Sequence, residues 1–88
     1  MRDFKGKISI IMPAYNEALR IVESIGETVR AFNTFDCDWE LLVIDDGSLD
    51  ATYEAASILV EKYSPRLIVK RNPQNLGKGA SIKLGLEY

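Results

Sequence analysis

The sequence predicts an α/β protein, a three-layer, Rossmann-like parallel sheet in the order βαβαβα. Two observations carry that prediction. Three short apolar runs, Ile8–Met12, Glu40–Asp45 and Leu67–Val69, have the length and β-branched content of buried strands. The stretches between them contain helical periodicity and are too long for hairpins, so the strands should run parallel with right-handed crossovers.

Taken in order, Ile8-Ser9-Ile10-Ile11-Met12 is a strand buried on both faces and ended by Pro13. Asn16 is placed to cap the helix that follows. There Leu19, Val22, Ile25, Val29 and Phe32 recur at three and four residues as one apolar stripe. Residues 33–38 are polar and turn-like, and the second strand runs from Glu40 into the acidic turn Asp45-Asp46-Gly47-Ser48. Asp50 is the expected N-cap of a second helix over 51–63, packing through Ala55, Ala56, Leu59 and Tyr63, with Pro65 past its end. The third strand, Leu67–Val69, leads through the loop 71–75 to the turn Leu76-Gly77-Lys78-Gly79, which opens a last helix toward Tyr88.

With 88 residues the chain is one domain or part of one, since domains commonly span roughly 100 to 150 residues. The order ends on a helix where an α/β sheet would ordinarily continue, so residues 1–88 are expected to be a single, incomplete domain. The apolar share of 47% and charged share of 27% are those of a globular protein, which excludes a disordered chain. A net charge of −2 gives no long-range attraction to nucleic acid. Cys37 is the only cysteine, so no intrachain disulfide forms, and with no histidine to activate it the thiol reads as incidental. Residues 1–7 lack the apolar core of a signal peptide, and no stretch approaches the roughly 18 apolar residues of a spanning helix. The expected compartment is the cytoplasm.

In an open parallel sheet ligands bind outside the carboxyl ends of the strands. Those ends are Pro13-Ala14-Tyr15-Asn16-Glu17, Asp45-Asp46-Gly47-Ser48 and Arg71-Asn72. The first loop has no glycine, which argues against a dinucleotide fingerprint, and Gly77-Lys78-Gly79 lacks the upstream glycine and the hydroxyl of a phosphate loop. What the edge offers is a tyrosine to stack on a flat ring, carboxylates to accept from ring N–H groups and a lysine to meet phosphate charge. That set suits a nucleotide. Read singly, each piece has a plainer account: a loop aromatic, a turn before a helix, an exposed lysine.

Together, Pro13-Ala14-Tyr15-Asn16-Glu17, then Asp45-Asp46-Gly47-Ser48 with Asp50 and Thr52, then Asn75-Leu76-Gly77-Lys78-Gly79-Ala80, resemble glycosyltransferase family 2. The resemblance covers about residues 6–88 and is greatest toward the branch that makes dolichyl- and polyprenyl-phosphate sugars. It implies the nucleotide-binding N-terminal half of a GT-A domain. Pro13 and Tyr15 would line the base with Glu17 beside it, Asp46 would accept from a ring N–H, Asp45 would support the turn, and Lys78 would face the donor. It further implies an inverting transfer from a GDP- or UDP-sugar, a lipid-phosphate acceptor, and membrane association of the intact protein. Mg²⁺ or Mn²⁺ would be held by an Asp-x-Asp motif beyond residue 88, so neither a catalytic residue nor a metal ligand is assigned within this chain. The residues leave two alternatives open. One is a noncatalytic nucleotide-binding module; the other, a receiver-type phosphoacceptor domain, fits poorly because it wants its carboxylates after the first and third strands.

Overall fold

The computed structural model describes residues 6–72. The elements run β1 (Lys7–Ala14), α1 (Ile21–Phe32), β2 (Asp38–Asp46), α2 (Thr52–Ile58), α3 (Val60–Tyr63) and β3 (Leu67–Asn72). The three strands form one sheet in the order β1-β2-β3, both neighbouring pairs parallel. The last helix expected from the sequence, with its 76–79 turn and Lys78, lies outside the described residues.

The register divides the sheet into two faces, because alternate residues of a strand point opposite ways. Ile8, Ile10 and Met12 lie beside Trp39, Leu41 and Val43, and Leu67 and Val69 continue the same face on β3. Ile21, Ile25 and Val29 of α1 and Ala56 of α2 pack into this core together. Both helices therefore cover one face, as two right-handed crossovers progressing in one direction across a sheet require. Leu42 and Ile44, on the opposite face, are buried as well. The central strand thus buries four successive apolar side chains, each worth about 1.5–3 kcal/mol of transfer free energy.

Several boundaries differ from the sequence reading. β1 is longer than 8–12 and takes an outer place in the sheet, so its apolar residues are half-buried rather than buried on both faces. β2 extends from Asp38, and β3 carries on through Arg71 and Asn72, which are strand residues and not loop. Asn16 does not cap α1. The helix starts at Ile21, and Arg20 at its cap position makes no side-chain cap bond. Leu19 is consequently outside the helix and 100% exposed, and Val22 is also exposed, while Ile21 takes the buried place at the head of the stripe. The second helix is interrupted at Leu59, whose N–H bonds the Ala56 carbonyl three residues back at 3.1 Å, a tight turn between α2 and α3. Asp50 precedes the cap position, which Ala51 occupies.

At the amino end of the sheet, Trp39 is buried with the Arg66 guanidinium 4.6 Å from its ring and Phe32 at 5.9 Å. Arg66 also donates to the Trp39 carbonyl at 2.7 Å. This cluster closes the end of the core away from the ligand edge.

Candidate functional site

The acidic turn owes its shape to strand alternation. Asp45 and Asp46 are the last two residues of β2, so their side chains leave on opposite faces. Asp45 is fully buried beneath the helices and beside Arg71, its register partner on β3, whose Nε lies 3.3 Å from Asp45 Oδ2. It also accepts from the Ser48 N–H at 3.3 Å and from the Ser48 hydroxyl. Arg71 Nη2 reaches the Ser48 carbonyl at 3.4 Å, and its guanidinium stacks 5.0 Å from the Tyr53 ring. Gly47, at φ 72°, makes the reversal that brings Ser48 back over Asp45, a conformation that costs glycine nothing. Asp46 takes the other face, shared with Pro13 and Ile44, and accepts from Asn72 Nδ2 at 3.1 Å. Asp45 thus holds the turn closed, and Asp46 is carried toward the carboxyl edge.

The loop after β1 is fastened to this turn by its backbone. Three successive amides ahead of α1 donate to side chains of the β2–α2 turn: Asn16 N–H to Ser48 Oγ at 2.9 Å, Glu17 N–H to Thr52 Oγ1 at 2.7 Å, and Ala18 N–H to Asp50 Oδ2 at 3.3 Å. In return the Leu49 N–H donates to Asn16 Oδ1 at 2.9 Å. These amides lie in the loop ahead of the helix, and side chains more than thirty residues away satisfy them. Asp50 Oδ1 further accepts from the Thr52 N–H at 3.0 Å and from the Thr52 hydroxyl. That hydroxyl, aided by the Thr52 and Ala18 amides, holds the Asp50 carboxyl below the usual carboxylate range.

Of the sequence candidates, the fold brings Pro13, Tyr15, Glu17, Asp45 and Asp46 to one edge, at the carboxyl ends of β1 and β2. Tyr15 is 41% exposed, leaving ring surface for a ligand to stack on. Lys78 lies outside the described residues. Three contributors escaped the sequence reading: Asn16 as a loop fastener, and Arg71 and Asn72 as partners of the two aspartates. Opposite charges at matching ends of neighbouring strands were the one available signal for Arg71. Among the described residues, no three His, Cys, Asp or Glu side chains are grouped to hold a metal ion. Asp45 and Asp46 diverge, so this pair does not converge on a divalent cation. No described helix is long and apolar enough to cross a membrane.

A three-stranded parallel sheet with intervening helices and an aromatic, acidic carboxyl edge defines an α/β domain of the Rossmann-like type. The glycosyl transferase family 2 profile matches residues 9–88, and the chain belongs to that family. It is similar to a dolichyl-phosphate beta-glucosyltransferase of Trichomonas vaginalis (strain ATCC PRA-98 / G3), 36% identical over 83 residues, covering 89% of this chain and 25% of the relative. It is 32% identical to a dolichyl-phosphate beta-glucosyltransferase of Dictyostelium discoideum, over 90% of this chain and 26% of that protein. An undecaprenyl-phosphate 4-deoxy-4-formamido-L-arabinose transferase of Salmonella choleraesuis (strain SC-B67) is also 32% identical, over 93% of this chain and 25% of its own length. The chain spans about a quarter of the length of these curated relatives.

Proposed function

We propose that this chain is the nucleotide-binding part of a hexosyltransferase that moves a sugar from a GDP- or UDP-sugar to a dolichyl or polyprenyl phosphate. The observation that carries the reading is the fastening of the Tyr15–Glu17 loop onto the Asp45–Ser48 turn, which makes one ligand edge of two distant motifs. Membership of the family supports a sugar transferase, and relatives named for dolichyl and undecaprenyl phosphates support the acceptor class.

In this reading Tyr15 stacks on the base, Pro13 and Glu17 flank it, and Asp46 accepts from a ring N–H. Asp45 acts through the turn, and Lys78 meets the diphosphate. A lipid phosphate is already anionic, so its attack on the anomeric carbon, with inversion, needs no protein base. A divalent Mg²⁺ or Mn²⁺ would neutralise the leaving nucleoside diphosphate, and no residue of this chain is assigned to hold it. The intact protein is taken to work in the cytoplasm, at the membrane face where its lipid acceptor lies.

Calorimetric titration of the chain with GDP and with UDP tests the pocket. Tyr15→Ala should weaken binding of the preferred nucleotide about tenfold or more, because base–aromatic stacking contributes roughly 1–3 kcal/mol. Asp46→Asn should weaken it similarly while keeping an oxygen for Asn72. Unchanged affinity in both variants would contradict the assignment.

A further inference from the structure

Among the described residues, Asn16 is the one non-glycine residue with positive φ, at 51°. A residue with a Cβ seldom adopts that conformation, although asparagine does so more readily than most. Something must hold it there, and the contacts are explicit. Its N–H donates to Ser48 Oγ and its Oδ1 accepts the Leu49 N–H, each at 2.9 Å. Ser48 in turn donates to Asp45, which is held by Arg71 of β3. One line of polar contacts therefore runs from the β1 loop through the β2 turn to the third strand. Tyr15 and Glu17 are the immediate neighbours of Asn16, so a change in its φ redirects both.

We infer that Asn16 is a positioning residue for nucleotide binding: its left-handed backbone and its side-chain oxygen set the placement of Tyr15 and Glu17 relative to Asp46. The inference rests on the nucleotide reading above. It makes Asn16 neither a helix cap nor a contact of the ligand.

The test is titration of GDP and UDP into the 88-residue chain and its Asn16→Ala, Asn16→Gly and Asn16→Asp variants, with melting temperatures recorded beside affinities. Asn16→Ala, which loses the acceptor and disfavours positive φ, should bind about tenfold more weakly. Asn16→Gly keeps the backbone but not the acceptor and should lose part of that affinity. Asn16→Asp keeps both and should restore it. A folded Asn16→Ala chain that binds as tightly as wild type, whatever its melting temperature, would reduce Asn16 to a loop stabiliser and overturn the inference. If Asn16→Ala does not fold, equal affinity of the Gly variant and wild type overturns it instead. A wild-type chain that binds neither nucleotide overturns the nucleotide reading itself, and this inference with it.

Discussion

Adjacent carboxylates at the end of one strand serve different ends here. Asp45 is buried under the helices against Arg71 and Ser48, and Asp46 sits on the opposite face beside Asn72. That division was legible in the sequence, since strand alternation alone sends neighbours to opposite faces. Asn16 was not. A polar residue just ahead of helical periodicity is read as a cap, but its partners lie more than thirty residues on, where no local rule reaches. Asp50 was read as a local cap for the same reason, and it bonds both Thr52 beside it and Ala18 across the loop. Its depressed pKa makes the tie pH-dependent. A carboxyl whose folded pKa lies below its unfolded value of about 4 stabilises fully above that value and progressively less as pH falls through the folded one. Asp50→Ala should therefore lower the melting temperature at neutral pH, with the gap between wild type and variant narrowing as pH falls below the ordinary carboxylate range. Parallel melting curves at all pH values would place the tie elsewhere.

At the scale of elements, composition located the strands and position in the sheet decided their burial. Ile8–Met12 is apolar but for Ser9 and Leu41–Ile44 wholly so, yet the apolar residues of the first are only half-buried while the second, central run is fully buried. Strand order is a tertiary property that an apolar run does not encode. The stripe of α1 was right from Ile25 onward and wrong at Leu19, which the turn 17–20 leaves ahead of the helix, and at Val22, which flanks the buried line Ile21, Ile25 and Val29. The packing face Ala55, Ala56, Leu59 and Tyr63 was right, and the break at Leu59 passes beneath the periodicity that identified it. Gly26 is a mid-helix position where a better choice exists. A Cβ there would meet Arg30 Nη1 at 3.4 Å and Tyr63 Oη at 3.6 Å, both ends of flexible side chains. Gly26→Ala should stabilise the chain by about 1 kcal/mol, several degrees in melting temperature. A fall in melting temperature would mean that α1 cannot yield space against α3.

For the molecule as a whole, the architecture places every described candidate at one edge and leaves the Trp39–Arg66 cluster to close the other. The fold class followed from spacing and periodicity, and the family from motifs whose last member lies outside the described residues. The chain corresponds in length to about a quarter of its curated relatives, and nucleotide binding is the property that the site on it puts to test. The most direct measurement is amide-resolved NMR of the chain during titration with GDP and UDP. The account predicts saturable shifts concentrated at residues 14–18 and 45–52, with Trp39 and Arg66 at the far end unmoved. Saturable shifts centred elsewhere, or none at that edge from a folded chain, would contradict it.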